Sequence, residues 1–447
     1  MPIDVSKCSA GPRWGPAFAV RATAVAALAF ALAVNPVAAS ARTSPSYRAA
    51  QSEVAAWQAG HGPLWIDAAG QLKPEARQLI DLVRETKIDG LDPKAYQAGK
   101  LEGAVRGALA GKPRDLAKAD MLLSQTLVAW ARDMRSFRPG EMHFADLAAI
   151  PGIPSTGLML EAAAKAPSLA QFLDTMPWMH SAYGALRSAL RQARDPRTAQ
   201  LLQVNLMRAR ALPGTLQSGR YVLVDVADAR LDMVEDGVVR DSMRVVVGRT
   251  DNATPMLAGV IRYAIINPYW NVPPDLAATR LAPHIVTEGL GWLVKNRYEV
   301  LSDWTDKAKP VSPKSIDWAA VVAGRMPDLR MRQLPGADNS MGRVKFMFPN
   351  DMGIYLHDTD DKSLFAEPAR MRSGGCIRLQ NAKGLARWLF GKPLATASAK
   401  PEHKVAVPLP VPVYVTYLTA VPEGGTIAYR EDIYGRDGLA EAKTAAR

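Results

Sequence analysis

Residues 354–378 read IYLHDTDDKSLFAEPARMRSGGCIR and place a histidine and a cysteine 19 residues apart. His357 ends an apparent strand, whereas Cys376 follows two glycines in a turn. A free thiol has a pKa of about 8.5, so a neighbouring imidazole that accepts its proton activates it as a nucleophile. Because the ends of adjacent strands bring such residues together, His357 is the candidate base and Cys376 the candidate nucleophile.

The residues around the thiol suit attack on a carbonyl group. Gly374 and Gly375 permit a tight turn and leave backbone N–H groups open to a ligand, as an oxyanion requires. Arg378 lies two residues after the cysteine, where its guanidinium can neutralise a substrate carboxylate or brace the loop. The spacing alone leaves a plain turn and an inert structural Cys–His pair open, and it identifies no substrate.

The N-terminus changes what the cysteine count means. The 447 residues contain two cysteines, Cys8 and Cys376. Basic residues precede an apolar run at 22–34 and then small residues, a pattern typical of a secretory signal peptide over residues 1–41. Cleavage removes Cys8 and leaves one thiol, which cannot close an intramolecular disulfide. The formal charge falls from +12 to +10, because three basic residues and one acidic residue are lost. An uncleaved anchor is the alternative.

Composition and periodicity divide the mature chain into two domains and a flexible tail at 438–447. Hydrophobic residues make up 48% and charged residues 22%, which excludes a mostly disordered chain. No apolar run is long enough for a multi-pass membrane protein. Residues 42–213 predict an all-α domain, since apolar residues at helical spacing follow Pro74 and Pro113 and the pattern ends at Leu212-Pro213.

Residues 214–437 change to alternating β-type patterns. Asp236-Gly237 is a hairpin turn signal between two apolar runs. The valine-rich stretch at 405–418 contains prolines and predicts an edge strand. Helices are predicted at 283–298 and 316–322. The fold class is therefore α+β, with an all-α domain followed by a mostly β domain that contains inserted helices.

The stretch at 357–378 resembles the active-site signature of the L,D-transpeptidase catalytic domain, the YkuD-type fold, in which a histidine precedes a Ser/Thr-x-Gly-Cys-x-Arg/Asn motif. The resemblance covers about residues 50–437 and points to the large periplasmic subfamily with an N-terminal scaffold domain. Its further segments are Pro63–Trp65, Asp89–Pro93, Gln203–Arg208, Thr254–Met256, Asn267–Pro274, Gly342–Phe346 and Asp432–Arg436. Larger relatives carry a peptidoglycan-binding module between the scaffold and the catalytic domain. In this chain residues 185–202 separate the two, and they are too few for such a module.

The resemblance implies a peptidoglycan L,D-transpeptidase without a metal or other cofactor. Cys376 would attack the L-centre carbonyl of the third stem residue of a tetrapeptide donor and release D-Ala. The acyl group would then pass to a diaminopimelate amine, giving a 3→3 cross-link. His357 would be the base, N–H groups near Gly375 and Cys376 would hold the oxyanion, and Ser373 would orient the imidazole through its backbone carbonyl.

Further residues are assigned to substrate binding. Tyr355 shares a strand face with the base and is predicted to contact the substrate, and Trp270 is predicted to stack against a stem peptide. Core packing is the alternative for both aromatic residues. Gly374 stands where many members have histidine, and it is assigned to the substrate subsite together with Arg378. The charged loop at 358–372 predicts a lid over the site, with a solvated loop as the alternative.

The charge and the resemblance also predict a location and partners. A basic periplasmic enzyme would be held near the anionic wall, whose stem peptides serve as donor and acceptor. Cell-wall synthases are expected partners, and carbapenems are expected covalent inhibitors. Export and the lack of a clustered Lys/Arg stripe argue against nucleic acid. Membrane contact is expected only through an uncleaved signal segment.

Three other functions remain open at the level of the sequence. A related acyl transfer would give 1→3 cross-links, exchange of D-amino acids or attachment of a protein to peptidoglycan. A non-catalytic wall-binding scaffold would keep the fold without the reaction. An exported cysteine peptidase would use the same thiol, although the loop lacks the Gln-x-Gly-x-Cys pattern expected for one.

Overall fold

The computed structural model describes residues 44–136, 140, 142–217, 219–395 and 400–438. The predicted signal peptide, and all of the predicted tail except its first residue, lie outside the described residues. Within the described ranges, no helix combines the length and the apolar character that crossing a membrane requires.

The N-terminal helices follow the sequence signals. Before residue 214 the described helices are α1 (Pro45–His61), α2 (Glu75–Arg84), α3 (Ala98–Ala108), α4 (Pro113–Arg135), α5 (Thr156–Lys165), α6 (Leu169–Thr175), α7 (Tyr183–Gln192) and α8 (Pro196–Arg210). Pro113 occupies the first turn of α4, where its missing N–H leaves no helical bond unmade. Asp195 caps α8 by accepting a hydrogen bond from the N–H of Thr198. The predicted helical scaffold is confirmed.

The second domain is mostly β and closes on itself. The strands are β1 (His143–Phe144), β2 (Arg220–Asp225), β3 (Arg230–Glu235), β4 (Val238–Gly248), β5 (Leu257–Ile266), β6 (Trp270–Val272), β7 (Tyr298–Leu301), β8 (Pro310–Val311), β9 (Arg330–Gln333), β10 (Val344–Met347), β11 (Leu356–His357), β12 (Met371–Ser373), β13 (Ile377–Leu379), β14 (His403–Thr416), β15 (Ala420–Glu423) and β16 (Thr426–Tyr429). The main order is β1-β5-β10-β11-β13-β4-β3-β2-β14, with β12 beside β4. Because β14 also pairs with β5, the sheet closes into a ring.

Strand β14 agrees with one expectation only in part. The prolines of 405–418 predicted an edge strand, and up to Pro412 the described pairing of β14 is with β5 alone, whereas Val413–Thr416 also pair with β2. The register with β5 breaks between Ala406 and Val411, and Pro408 and Pro410 lie in that break. Proline is tolerated at such an irregularity because no ladder hydrogen bond is needed there. The prolines therefore lie in the part of β14 that is paired on one side, and two of them lie at its bulge.

Residues 267–343, between β5 and β10, form an insertion subdomain. It contains a four-stranded sheet in the order β6-β9-β7-β8. Its helices are α9 (Pro274–Leu276), α10 (Ala282–Glu288), α11 (Gly291–Lys295) and α12 (Trp318–Val322), and α13 (Ala382–Phe390) follows outside it. A hydrophobic core of its own includes Val272, Ile285 and Met331. The helix predicted at 283–298 is divided into α10 and α11, and Tyr298 begins β7 instead, whereas α12 agrees with the helix predicted at 316–322. Strands of two to four residues are too short for alternation to reveal the sheet.

The two domains exchange short segments. Strand β1 comes from the helical region and pairs in parallel with β5. In return, the hairpin of β15 and β16 packs on the helical core, where Ala420 is fully buried and Ile427 partly buried. These two exchanges hold scaffold and sheet together in addition to the chain connection.

Candidate active site

Strand β11 positions the residues assigned to catalysis. It lies between β10 and β13, which places His357 beside Lys345 on one side and Arg378 on the other. The parallel register with β13 brings Cys376 opposite Tyr355. Side chains alternate along a strand, so these residues point to one side of the sheet. We call the surface made by Tyr355, His357, Cys376 and Arg378 the thiol face.

Ser373 and Gly375 shape the turn that bears the thiol. The Ser373 hydroxyl donates to the carbonyl of Cys376 at 2.6 Å and accepts from the N–H of Gly375 at 3.1 Å. Ser373 is 2% exposed, so water does not compete for these bonds. Gly375 has a φ of +113°, and a Cβ there would lie 3.4 Å from the Ile354 side chain. Both residues are therefore needed for the conformation of the turn.

The turn leaves the backbone N–H of Cys376 available. The N–H of Gly375 is bound to Ser373, and that of Ile377 donates to the carbonyl of Tyr355 at 3.1 Å. Over the described residues, the N–H of Cys376 has no hydrogen-bond acceptor. Of the groups expected to hold an oxyanion, the geometry therefore favours the N–H of Cys376 over that of Gly375.

Cys376 is a free, half-buried cysteine in a polar environment. Its Sγ lies 3.7 Å from the carbonyl of Gly353. Burial raises the pKa of the thiol, whereas a hydrogen bond with Tyr355 and the charges of Arg378 and Lys345 act to lower it. The thiol is therefore protonated at neutral pH and needs a base. In the described ranges, no group of three or more His, Cys, Asp or Glu residues could hold a metal ion.

His357 is held as a neutral imidazole. It is 2% exposed, and its Nδ1 lies 2.5 Å from the carbonyl of Asp358. A carbonyl only accepts hydrogen bonds, so Nδ1 bears the hydrogen and Nε2 keeps its lone pair. Burial, and next the positive charge of Arg378, lower the pKa of His357 to about 3. At pH 7 the ring is uncharged and able to accept a proton.

Two contacts differ from the expectation. The Ser373 carbonyl, expected to orient the imidazole, accepts the N–H of Arg249 at 3.0 Å, and the carbonyl of Asp358 orients His357 instead. Among the described residues, no hydrogen bond joins Cys376 Sγ to His357, because Sγ points toward Gly353. Proton transfer therefore requires the cysteine side chain to turn toward the imidazole.

Arg378 brings an incompletely paired positive charge to the thiol face. Its Nε is buried and, over the described residues, has no hydrogen-bond partner. Burial lowers the pKa of Arg378, the charges of Asp360 and Asp361 act to raise it, and Arg280 of the insertion subdomain acts to lower it. A buried charge is costly unless it is paired. This arrangement suits a residue that binds a carboxylate.

The sequence reasoning missed two residues next to the site. Lys345 is 12% exposed, and its Nζ lies 5.8 Å from the centre of the Tyr355 ring and 3.8 Å from Glu402. The alternation of Lys345 with buried Val344 and Phe346 was a signal for its position on the thiol face. Thr254 is fully buried and donates to the Gly375 carbonyl at 2.8 Å. Only the structure reveals this contact, because 121 residues separate the two.

The remaining assignments stay predictions. Trp270 lies in β6 of the insertion subdomain, with its ring 6.2 Å from that of Tyr298, and it is partly buried against the subdomain core. A Cβ on Gly374 would meet nothing within 4 Å, so the turn is open on that side. The loop at 358–372 is tied down near its start, where Lys362 bonds Asp358 at 2.7 Å.

Two family models match the chain. The model of the L,D-transpeptidase catalytic domain covers residues 219–407, which include the whole thiol face. The model of the Scaffold domain covers residues 57–190. A Haemophilus influenzae protein named "Putative L,D-transpeptidase" is 29% identical over 252 residues, or 55% of this chain and 50% of that protein. The chain thus spans about half the length of this curated relative.

Solved structures of similar proteins are more distant. An L,D-transpeptidase from Mycobacterium smegmatis has 12% sequence identity and a TM-score of 0.22, covering 46% of this chain and 60% of that one. L,D-transpeptidase 1 of Mycobacterium tuberculosis has 12% identity and a TM-score of 0.18, covering 46% of this chain and 63% of that one. Scores this low add nothing to the description of the site.

Proposed function

We propose that this chain, which contains an L,D-transpeptidase catalytic domain and a Scaffold domain, is an exported peptidoglycan L,D-transpeptidase. The observation that supports the activity best is the thiol face. A cysteine in a glycine turn lies there beside a neutral histidine and an incompletely paired arginine, and these two are on neighbouring strands. Nucleophile, base and a carboxylate-binding group are the parts that acyl transfer from a peptide requires.

The first half of the reaction forms a thioester. As Cys376 Sγ turns from Gly353 to His357, Nε2 accepts the thiol proton while sulfur bonds to the carbonyl carbon of the third stem residue. The N–H of Cys376 donates to the resulting oxyanion. The bond to the terminal D-Ala then breaks, and its amine receives the proton from Nε2. Because burial disfavours both the thiolate and the imidazolium, proton transfer accompanies attack.

The second half transfers the acyl group. The side-chain amine of a diaminopimelate residue on another stem attacks the thioester and loses a proton to His357. The carbon–sulfur bond breaks, and the proton returns to Cys376. The product is a 3→3 cross-link, and the only molecule released over the whole cycle is D-Ala. No metal or redox step is required for this balance.

Substrate recognition relies on charge and on an open side of the turn. Arg378 binds a carboxylate of the donor stem, which provides the partner that its buried Nε lacks over the described residues. Tyr355 contacts the donor next to the thiol. The space beside Gly374 admits the peptide, since a Cβ there would meet nothing within 4 Å. Trp270 and the loop at 358–372 are proposed to contact the acceptor side.

Export and surroundings are part of the same proposal. The signal-like residues 1–41 direct the protein to the periplasm, and the remaining charge of +10 holds it near anionic wall polymers. Cell-wall synthases are proposed partners, because a cross-linking enzyme acts where new strands are laid down. Carbapenems are proposed covalent inhibitors, since their strained carbonyl is open to the same thiol.

The test is a reaction with defined muropeptides. Purified protein is incubated with disaccharide-tetrapeptides that contain diaminopimelate, and products are identified by mass spectrometry. We expect dimers equal to two monomers less one alanine, with a link between third residues. Cys376→Ala should form none. In the uncleaved full chain, Cys8→Ala is a matched control that should keep full activity, since Cys8 lies in the proposed signal peptide.

Other products would change the proposal in defined ways. Exchange of D-amino acids, 1→3 dimers or transfer to a protein amine would keep the thioester and replace the acceptor. Trimming of the stem peptide would also keep the thioester, with water as the acceptor in place of an amine. If wild-type protein binds sacculi but forms no acyl product, the protein is a wall-binding scaffold and the proposed reaction is contradicted.

A further inference from the structure

Thr254 links two segments that flank the thiol. It is fully buried, and its hydroxyl donates to the carbonyl of Gly375 at 2.8 Å while accepting from the N–H of Gly248 at 2.8 Å. A threonine hydroxyl has a single hydrogen, so its donor capacity is committed to Gly375. The end of β4 and the turn of the nucleophile are therefore joined through this one side chain.

The accepting carbonyl belongs to a critical peptide group. The C=O of Gly375 and the N–H of Cys376 lie in one planar trans peptide, so fixing the oxygen also fixes the direction of the hydrogen. Glycine permits rotation of that plane more readily than any other residue. Ser373 holds the peptides on either side, through the N–H of Gly375 and the carbonyl of Cys376. Thr254 holds the plane between them.

Thr254 is itself held from the C-terminal end of the chain. Tyr434 donates its hydroxyl to the carbonyl of Gly248 at 2.5 Å and accepts from the N–H of Thr254 at 3.4 Å. Arg436 donates to the carbonyl of Thr254 at 3.0 Å. Side chain, N–H and C=O of this residue are therefore all engaged. We call residues 432–437 the C-terminal clamp.

The C-terminal clamp is attached to the scaffold. Arg208 of α8 forms an ion pair with Asp437 at 2.6 Å and donates to the carbonyl of Arg436 at 2.7 Å. Both charged side chains of this pair are 2% exposed. Asp432 accepts from the N–H groups of Arg436 and Asp437 at 2.9 Å, which closes the clamp on itself. A continuous set of bonds thus runs from α8 to the nucleophile turn.

We propose that Thr254 is a positioning residue that aims the N–H of Cys376 at the oxyanion, and that the C-terminal clamp anchors it to the scaffold. This inference rests on the proposed acyl transfer. Thr254 touches neither substrate nor thiol in this arrangement and acts only through the peptide plane. Its loss should slow a step that develops an oxyanion while leaving simple alkylation of the thiol unchanged.

The experiment compares two reactions of the same cysteine in the full protein. Acylation by a carbapenem passes through an oxyanion, whereas alkylation by iodoacetamide does not. We expect Thr254→Val to slow acylation by about ten- to hundredfold, as for a misplaced or lost oxyanion donor, with alkylation changed less than about twofold. Thr254→Ser keeps the hydroxyl and should restore most of the acylation rate.

The matched control is Thr416→Val. Thr416 is also fully buried, but its hydroxyl has no hydrogen-bond partner within the described residues. Replacing it by the isosteric valine should leave both reactions at the wild-type rate. Thermal unfolding of all variants shows whether a slower reaction reflects a loss of folded protein.

The outcomes separate the two proposals. No carbapenem adduct on wild-type protein would contradict the proposed function and this inference with it. A wild-type rate of acylation for Thr254→Val, or an equal loss in both reactions, would overturn the positioning role alone. If Thr254→Val does not fold, Tyr434→Phe tests the same support, with exposed Tyr429→Phe as control. Tyr434→Phe should slow acylation more than alkylation, and equal effects would contradict the role of the clamp.

Discussion

Two buried polar clusters of this molecule differ in how completely their groups are paired. In the scaffold, Asp89 is fully buried and accepts from Arg187 at 3.0 Å, from the hydroxyl of Tyr183 at 2.9 Å and from Thr86 at 3.1 Å. Arg187 also donates to a backbone carbonyl. On the thiol face, the Nε of Arg378 is buried without a hydrogen-bond partner in the described part of the chain.

The difference separates stability from function. A buried charge whose hydrogen bonds are all made holds a fold in one arrangement and has nothing left for a ligand. A buried N–H that lacks a partner costs stability, and beside a reactive thiol a ligand can supply the missing bond. The scaffold cluster therefore stabilises a rigid platform, whereas the thiol face has groups left to bind a ligand.

Two buried histidines repeat the contrast. Burial, and next the charge of Arg135, lower the pKa of His180 in the scaffold to about 4. Burial and Arg378 lower that of His357 to about 3. Both rings are neutral at pH 7, but His180 accepts from the backbone N–H of Ala182, whereas the Nε2 of His357 is left for the thiol proton.

The largest expected effect comes from exchanging the two histidines for glutamine. His357→Gln should lower the rate of carbapenem acylation by about 10²–10⁴-fold, the range for a positioned general base. His180→Gln should leave that rate, measured per folded molecule by stopped-flow or mass spectrometry, unchanged. Equal effects of the two substitutions would show that His357 contributes only to structure.

Substitution in the scaffold cluster should lower the stability of the fold and leave the rate of acylation unchanged. Asp89→Asn leaves the charge of Arg187 buried and uncompensated and should cost about 3–5 kcal/mol of unfolding free energy. Asp81→Asn, at an exposed ion pair with Arg77, should cost less than about 1 kcal/mol. Denaturant unfolding measures both. A loss of acylation in folded Asp89→Asn would contradict the separation of the two clusters.

The depressed pKa of His180 predicts a pH dependence of stability. Between about pH 4 and 6.5 the unfolded chain binds the proton and the folded ring does not, so the unfolding free energy falls as the pH falls. Above about pH 6.5 this contribution is complete. In His180→Gln the loss between pH 7 and 4.5 should be smaller by roughly 2–3 kcal/mol. If the unfolding free energy of wild-type protein and of His180→Gln falls equally with pH, His180 is not the source of the pH dependence.

The smallest effects distinguish the two glycines of the turn. Gly375→Ala places a side chain at a φ of +113° and close to Ile354, and it should cost roughly 1 kcal/mol or more. Gly374→Ala meets nothing within 4 Å and should change the unfolding free energy by no more than about 0.5 kcal/mol. Thermal melts decide this, and equal destabilisation by the two variants would contradict the geometry of the turn.

The sequence predicted most of the fold and the centre of the site. Helical spacing after Pro74 and Pro113 predicted α2 and α4, because a stripe of buried residues is a local property of the chain. The His357 and Cys376 pattern was visible for the same reason, since both residues lie in a single stretch of 25 residues. His357 lies on β11, and Cys376 directly precedes the adjacent strand β13.

Features that depend on distant segments were not predictable. The sheet of the insertion subdomain joins strands that are too short to alternate visibly. The prolines of β14 fit both an edge and a bulge, and only the pairing shows that β14 has a bulge there and gains a second neighbour from Val413 onward. The contact of Thr254 with Gly375 joins residues that have no local relation. Lys345 alone had a usable signal, in its alternation with buried neighbours.

The most direct test of the central claim is the intact mass of the protein after exposure to a carbapenem. The proposed mechanism assigns the nucleophile to Cys376. Wild-type protein should gain the mass of one carbapenem, and Cys376→Ala should gain none while unfolding at a similar temperature. An adduct of the same mass on folded Cys376→Ala would contradict the assignment of the nucleophile and the mechanism built on it.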